Sequence, residues 1–309
     1  MAELKVGTIV DWQDLSTILA TFRLMPAPGS RFPDYDAGQY IALRREDCRL
    51  TKRITDPNGV VRYVTDLDES GNPKHGPVMH SYSIASGPFE TRKGGYLEFY
   101  VILEQDALGE PGRLTQSLFR VGSEPGVALT YVNRIVGDFT LAKRAAGVRN
   151  VFWVGTGTGV APFVSMIKEL HFKASQSLPP DGVQYTLLHA NRTTEELGYH
   201  EELLRIEASR RFDFVYIPTV SRPTSRDLED PGLGRGRANN VLRHLLGMPP
   251  KEQQGLIAPV LPRHIAPDAV RQRLEPGRTV ILTCGNPSLM ADIKYIADSN
   301  QIRFEKEDW

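Results

Sequence analysis

The sequence predicts a β + α/β protein, in which an N-terminal antiparallel β-barrel is followed by a C-terminal domain built on a parallel sheet. Its 309 residues suffice for two domains that each bury a core. Short β-rich runs bounded by turn residues fill the first part, whereas strands alternate with helices in the second. The pattern changes within residues 141–150, so we expect domains at residues 1–146 and 147–309.

The N-terminal region contains β-rich runs bounded by Gly, Pro, Asp and Ser: LKVGTIVDW, LSTILATFRLM, GQYIALR, MHSYSIAS and YLEFYVILE. A single helix is predicted at residues 114–120, after which GVALTYVNRI resumes the strand pattern. Antiparallel strands with turn signals at this spacing are typical of a closed barrel.

An insertion rich in charged and turn residues occupies residues 45–78. Asn58 and Gly59 lie between TKRIT and VVRYV, which predicts a β-hairpin turn. We favour a solvent-exposed excursion without chemistry, as long loops are often peripheral. A docking surface for a partner is the alternative, because the segment carries both signs of charge.

The C-terminal region begins with an apolar strand at residues 151–154, followed by Gly155, Gly157 and Gly159 and a helix that starts near Ala161. Glycine permits positive φ and close approach of a ligand, and a helix start offers N–H groups to a diphosphate. The spacing is G-x-G-x-G and not G-x-G-x-x-G, so a purely structural turn stays open. Further strands and helices then alternate, which predicts a parallel sheet covered on both faces.

Composition excludes several classes of protein. Lysine plus arginine (37) balance aspartate plus glutamate (37), which argues against a general nucleic-acid binder but not against a local basic patch for an acidic partner. Cys48 and Cys284 form no CxxC pair, so we expect no metal site, and such sparse cysteine suits a reducing cytoplasm. Neither a signal peptide nor a segment long enough to span a membrane is visible.

Five motifs occur in a characteristic order: GQY (38–40), HSYSIAS (80–86), GRLTQSL (112–118), GTGTGVAPF (155–163) and CGNPSLM (284–290). Together they resemble the ferredoxin–NADP reductase superfamily, most closely its bacterial ferredoxin/flavodoxin reductases. LHANRTTEELGYHEEL and TVSRP also resemble that branch. The resemblance covers nearly the whole chain, except the insertion and parts of residues 248–272.

The resemblance implies that the β-barrel binds FAD. Tyr82 would lay its ring on the flavin and Ser83 would offer a hydroxyl near N5, while Thr115 would cap a helix whose N–H groups hold the diphosphate. A C-terminal aromatic would stack on the adenine or the flavin ring. The implied FAD residues are His80, Tyr82, Ser83, Ile84, Phe99, Tyr100, Val101, Gly112, Leu114, Thr115 and Trp309.

One residue departs from the pattern of the superfamily. The tyrosine motif usually begins with arginine, whereas this chain has His80. Histidine lacks the guanidinium fork and is charged only near or below a pKa of about 6.5. If His80 binds the diphosphate, FAD should be held less tightly at pH 8 than at pH 6. Another arginine, for example from the insertion, is the alternative.

Basic side chains favour NADPH over NADH. A site for NAD usually places an acid after the second strand, whereas that strand is followed here by Arg192. The resemblance implies that Arg192, Arg222 and Arg237 surround the 2′-phosphate, and that Cys284 lies beside the nicotinamide. A buried, inert cysteine is the alternative for Cys284. The implied NADP residues are Gly157, Thr158, Gly159, Arg192, Arg222, Arg237, Gly285 and Asn286.

The predicted function is therefore transfer of electrons between NADPH and a one-electron carrier such as ferredoxin or flavodoxin, through FAD. Tyr82, Ser83 and Cys284 are the residues expected at the reacting centre. Two alternatives remain: a reductase component of an oxygenase or other multicomponent enzyme, and a non-catalytic assembly subunit that retains the fold. His80 lends some support to the second.

Overall fold

The computed structural model describes residues 3–55, 61–105, 110–176, 182–251 and 257–307. Two sequence-based predictions, the turn at Asn58 and Gly59 and the stacking of Trp309, lie outside the described residues. The chain divides into two compact units. Unit 1 comprises Met1–Tyr35, Tyr40–Ser83 and Thr91–Val136, and unit 2 comprises Asp36–Gln39, Ile84–Glu90 and Gly137–Trp309.

Unit 1 is built on antiparallel strands. These are β1 (Leu4–Asp14), β2 (Leu19–Met25), β3 (Tyr40–Arg49), β4 (Thr51–Thr55), β5 (Val61–Thr65), β6 (His75–Ser83), β7 (Leu97–Ile102) and β8 (Ala128–Val136). Two helices accompany them, α1 (Pro88–Gly94), which begins in unit 2, and α2 (Arg113–Val121). Since α1 exists, the expectation of a single helix in this half was wrong.

The main sheet of unit 1 has the strand order β6-β3-β8-β1-β2-β7. The antiparallel sheet is confirmed, but within the described residues β6 and β7 are edge strands that do not pair with each other. The sheet is thus a half-barrel and not the closed barrel expected. Between β6 and β7 the chain passes through a segment of unit 2 and then through α1, so these two edge strands are not joined by a short connection.

The insertion extends β3 and β6 and adds a separate hairpin of β4 and β5, whose strands pair from Thr51 with Thr65 to Thr55 with Val61. This antiparallel pairing agrees with the predicted hairpin. Its side chains are largely exposed, among them Tyr63. Elsewhere in unit 1, the ring of Phe22 stacks on Phe99 with centroids 5.2 Å apart and on Trp12 at 5.6 Å. Trp12 also contacts Phe119 of α2, which seats that helix against the sheet.

Unit 2 alternates strands and helices. Its elements are α3 (Leu141–Arg144), β9 (Asn150–Thr156), α4 (Ala161–Ser175), β10 (Gln184–Asn191), α5 (His200–Ser209), β11 (Phe214–Val220), α6 (Ser225–Glu229), β12 (Gly234–Arg235), α7 (Ala238–Leu245), α8 (Pro267–Gln272), β13 (Thr279–Cys284), α9 (Pro287–Ser299) and β14 (Arg303–Lys306). Turns of 3₁₀ helix cover Gly157–Val160 and Thr194–Glu196. The short elements α6, α8, β12 and β14 carry too little periodicity to be predicted from sequence.

The strands of unit 2 form a parallel sheet in the order β12-β11-β10-β9-β13-β14, as predicted. Strand β10, the next strand in the chain after β9, lies on one side of β9, and β13 lies on the other. The carboxyl end of β9 is therefore the point where strand order reverses, which is where ligands bind in open α/β sheets. On one face, Phe152 and Val154 of β9 pack with apolar residues of α7 and α9.

The segment Ile84–Glu90 belongs to unit 2 because it packs on α4. The Ser165 hydroxyl donates a hydrogen bond of 2.7 Å to the carbonyl of Ser86, and Phe89 stacks on Phe172 at 4.3 Å. The chain enters unit 2 for the last time at Gly137, ahead of the predicted boundary. No helix in the described residues is both long and apolar enough to cross a bilayer.

Candidate functional site

The glycine-rich turn lies between β9 and α4. Gly157 has φ of 54°, and a Cβ built there would meet no atom within 4 Å, so this glycine faces open space. Gly159 is constrained differently, since a Cβ there would lie 2.3 Å from the carbonyl oxygen of Cys284. A side chain at residue 159 would thus force apart the turns that follow β9 and β13. Helix α4 continues the 3₁₀ turn of Gly157–Val160, because the Ala161 N–H donates to the Thr158 carbonyl, and no side chain caps the start of that turn at Thr156.

A cavity of about 500 Å³ opens beside this turn at the carboxyl ends of the strands. Its walls are Thr156, Gly157, Ala190, Asn191, Arg192, Ser221, Arg222, Gly236, Arg237, Ala238, Asn239, Lys251, Ile257, Asn286, Ser288, Leu289 and Asp292. The predicted NADP residues found in this wall are Gly157, Arg192, Arg222, Arg237 and Asn286. Thr158, Gly159 and Gly285 lie in the adjoining turns and Cys284 ends β13, and these four are not among the lining residues.

The arginines of the cavity differ in their partners. Arg192 donates from Nε to Oε2 of Glu196 at 2.8 Å, and its Nη2 contacts Oε1, so a buried carboxylate balances its charge. The Arg222 backbone N–H donates to the Arg192 carbonyl at 2.8 Å. The exposed guanidinium of Arg222 has no ion pair or hydrogen bond within the described residues. Arg237 is also exposed and stands at the N-cap of α7.

Asn286 lines the cavity and also caps a helix. Its Oδ1 accepts hydrogen bonds from the backbone N–H groups of Ser288 and Leu289, at 2.9 and 3.3 Å, and so caps α9. The predicted start of a helix after Gly285 and Asn286 is thereby confirmed. Gly285 has φ of 128°, a conformation that favours glycine.

Cys284 ends β13 and contacts a residue that the sequence did not single out. Its Sγ donates a hydrogen bond of 2.9 Å to Oε2 of Glu307, and both side chains are buried. Burial, followed by the carboxylate of Glu307, raises the pKa of the Cys284 thiol well above its usual value. The thiol is thus a neutral group and not a thiolate nucleophile at neutral pH.

In unit 1, β6 carries the first predicted flavin residues. His80 pairs with Leu43 and Tyr82 with Ile41 of β3, so their side chains lie on the same face of the sheet. Burial, reinforced by the charge of Glu104, raises the pKa of Tyr82. Partial burial lowers the pKa of His80, and the positive charge of nearby Arg113 lowers it further.

The start of α2 corrects one sequence-based expectation. Thr115 does not cap the helix, because Gly112 holds the N-cap position without a side-chain hydrogen bond. The Thr115 hydroxyl instead donates to the Gly112 carbonyl at 3.3 Å. Arg113 is the first residue of the helix, and its guanidinium has no hydrogen bond or ion pair in the part of the chain that the structure describes.

The remaining predicted flavin residues are buried. Ser83 ends β6 with 8% of its surface exposed, and Leu114 of α2 is buried against the sheet. The other buried residues are Ile84, which belongs to unit 2, and Phe99, Tyr100 and Val101 of β7.

Several residues at these sites were not predicted: Glu196, Lys251, Asp292, Glu307 and Arg113. Lys251 and Asp292 line the cavity. Glu196 accepts a hydrogen bond from Arg192, and Glu307 accepts one from Cys284. Lys251, Asp292 and Glu307 lie in no quoted motif and are recognisable only by what they contact after folding. Arg113 lies within GRLTQSL and Glu196 within LHANRTTEELGYHEEL, but neither was singled out there.

Comparison with known proteins gives concordant matches. Residues 153–295 match the oxidoreductase NAD-binding domain family. Ferredoxin–NADP reductase of Pseudomonas aeruginosa is 25% identical over 240 residues, which is 72% of this chain and 72% of that protein. Flavodoxin/ferredoxin–NADP reductase of Rhodobacter capsulatus is 31% identical over 212 residues, covering 63% of this chain and 69% of that protein.

A solved structure supports the fold. The ferredoxin NADP⁺ reductase from Neisseria gonorrhoeae with bound FAD and NADP aligns with a TM-score of 0.61, covering 99% of each chain at 19% identity. The resemblance drawn from the motifs is therefore confirmed. The chain belongs to the ferredoxin–NADP reductase superfamily of flavoprotein oxidoreductases.

Proposed function

We propose that the protein uses FAD to take a hydride from NADPH and to pass electrons singly to a small redox protein, such as ferredoxin or flavodoxin. One observation carries the proposal: residues from separate strand ends, Arg192, Arg222 and Arg237, line one cavity with the Gly157 turn. That cavity lies at the reversal of strand order, where this type of sheet binds nucleotides. The relatives from Pseudomonas and Rhodobacter, which are a ferredoxin–NADP reductase and a flavodoxin/ferredoxin–NADP reductase, support it.

The charges in the cavity favour NADPH. The strand β10 is followed by Arg192, and the nearby Glu196 is already occupied by that arginine. Among the described residues, no carboxylate at this position is thus free to accept hydrogen bonds from the ribose hydroxyls of NADH. The guanidinium of Arg222 is available to a 2′-phosphate, with which it would form charge-assisted hydrogen bonds.

The flavin is assigned to unit 1. Tyr82 offers an aromatic ring on the face of β6 that also carries His80, and α2 begins at Arg113 with no side-chain cap. Arg113 supplies a permanent positive charge close to His80, which suits a diphosphate. When bound, FAD supplies the chemistry, accepting a hydride and releasing single electrons.

Cys284 is assigned to positioning. Its neutral, buried thiol would contact the nicotinamide without adding charge, and the hydrogen bond to Glu307 holds it in one orientation. The 3₁₀ turn that starts at Gly157 has no side-chain cap, and its first N–H groups would hold the diphosphate of NADPH. Gly159 keeps this turn close to Cys284.

The test is direct. Purified protein should be yellow, should release FAD on denaturation, and should reduce ferricyanide faster with NADPH than with NADH. Reduction of ferredoxin, flavodoxin and oxygenase-type partners would then identify the acceptor. A colourless, folded protein that does not bind added FAD would overturn the proposal and favour an assembly subunit.

A further inference from the structure

Lys251 lines the cavity but belongs to none of the motifs. After α7 the chain turns back along that helix, with the Met248 N–H donating to the Arg243 carbonyl at 2.8 Å. Arg243 then donates from Nη1 to the carbonyl of Pro249 at 3.3 Å, and the Lys251 N–H donates to Oδ1 of Asn240 at 2.9 Å. Because Arg243 and Asn240 are buried, the backbone at Lys251 has fixed anchors.

Asp292, the carboxylate that Lys251 approaches among the described residues, already has better partners. Asp292 accepts a hydrogen bond from Nη2 of Arg243 at 2.7 Å and another from Nδ2 of Asn239 at 2.7 Å. Arg243 and Asp292 side chains are only 9% and 6% exposed, so this is a buried ion pair. Lys251 Nζ lies 3.7 Å from Asp292 Oδ1, and its side chain is 44% exposed. The lysine is therefore not needed to neutralise Asp292.

The cavity consequently has an excess of positive charge. Asp292 is its only lining carboxylate among the described residues, and the buried guanidinium of Arg243 neutralises the charge of that carboxylate. Glu196 balances Arg192 in the same way. The charges of Arg222 and Lys251 remain facing the cavity, on separate segments of the chain. Two such cations suit a ligand that carries more than one phosphate.

We propose that Lys251 is a phosphate-binding residue of the nucleotide site, which contacts either the 2′-phosphate or the 5′-phosphates and raises the affinity for NADPH. The inference rests on the proposed function of the cavity. Its ammonium is a compact donor that can leave the long contact with Asp292 when a phosphate enters.

The test measures nucleotide binding by calorimetry, with 2′,5′-ADP and 5′-ADP as probes. Lys251→Gln should weaken binding of at least one probe about tenfold, the loss expected for one charged hydrogen bond. A loss confined to 2′,5′-ADP assigns Lys251 to the 2′-phosphate, and any loss with 5′-ADP assigns it to the 5′-phosphates. Lys251→Arg, which keeps the cation, should restore much of the affinity.

Lys294→Gln is the matched control, because Lys294 is exposed on α9, pairs with Asp298 and does not line the cavity. Arg222→Gln distinguishes failure of the role of Lys251 from failure of the proposed function. If Arg222→Gln weakens 2′,5′-ADP while Lys251→Gln binds both probes like wild type, Lys251 is not a phosphate ligand and the proposed function stands. If the wild-type protein binds neither probe, both the proposed function and the role of Lys251 are wrong.

Discussion

The Sγ atom of Cys284 lies 2.9 Å from Oε2 of Glu307, and neither side chain is exposed to solvent. The contact joins the end of β13 to the residue that follows β14. Because a thiolate beside a buried carboxylate would be strongly disfavoured, the contact keeps Cys284 protonated. Cys284 is therefore a neutral buried group and not a nucleophile, which agrees with the positioning role proposed for it.

The thiol should accordingly be unreactive in the native protein. Cys48 is also buried, so a Cys48→Ser background isolates Cys284. In that background we expect alkylation at pH 8 to be far slower than for the same protein in denaturant. Adding Glu307→Gln removes the negative charge, lowers the pKa of Cys284 and should raise the alkylation rate at pH 8 to 9. A native thiol that reacts as fast as free cysteine would contradict this account.

Arg222 should distinguish the two pyridine nucleotides. Arg222→Gln removes from the cavity a guanidinium that has no partner among the described residues, so we expect KM for NADPH to rise about tenfold or more while KM for NADH changes little. Steady-state reduction of ferricyanide measures both. Arg226→Gln is the control, because Arg226 is exposed on α6 and does not line the cavity. An equal rise for both nucleotides would show that Arg222 does not read the 2′-phosphate.

The pH dependence of FAD binding tests His80 against Arg113. The pKa of His80 is lowered by burial and by Arg113, while Glu104 acts in the opposite direction. Since the imidazole gains its charge only below this lowered pKa, FAD affinity should stay constant from pH 7 to pH 9 and increase only below about 6.5. Flavin fluorescence measures the Kd. A several-fold weakening between pH 7 and pH 8.5 would contradict a lowered pKa of His80 in the folded protein.

In the same assay, Arg113→Gln should weaken FAD binding about tenfold at pH 7, where the imidazole carries little charge. Arg134→Gln is the control, since Arg134 is exposed on β8. Wild-type affinity in Arg113→Gln would remove Arg113 from the flavin site.

Buried His189 makes the stability of unit 2 dependent on acid. Its Nδ1 lies 3.1 Å from the Tyr216 hydroxyl, and burial, followed by the charge of His200, lowers its pKa from 6.5 to about 3. Between these values the unfolded chain binds a proton that the folded chain excludes. The free energy of unfolding should thus fall by about 1.4 kcal/mol per pH unit as pH drops below 6.5.

Urea unfolding at pH 7, 6, 5 and 4.5 measures this slope. His189→Gln should flatten it, whatever its effect on absolute stability, and His244→Gln, at an exposed site on α7, should leave it unchanged. A slope that is the same in His189→Gln and wild type would contradict the assignment.

Much of unit 2 could be predicted because local patterns determine it. A glycine-rich turn between strand and helix, followed by further alternation, predicts a parallel sheet, and the ends of its strands must share one edge. Arg192 and Arg222 each follow a strand, which is why they meet at the same cavity. The half-barrel of unit 1 was harder to predict, because closure depends on whether β6 and β7 pair, which no single strand sequence encodes.

The contacts that tune the site could not be predicted. Glu307 meets Cys284 across 23 positions of sequence, and Lys251 reaches the cavity only because buried Arg243 and Asn240 fold its segment back. The role of Thr115 could not be predicted for a different reason. Its hydroxyl can donate or accept, and the sequence does not reveal that it donates to Gly112 and leaves the helix start uncapped.

The most direct test of the central claim is anaerobic stopped-flow mixing of the purified protein with NADPH, followed by the visible absorption of bound FAD. The absorption should bleach in a rapid phase with NADPH and more slowly with NADH, and Arg222→Gln should lose most of the difference. A protein that binds FAD but is not reduced by NADPH, or one whose FAD is reduced by NADH as fast as by NADPH, would contradict it.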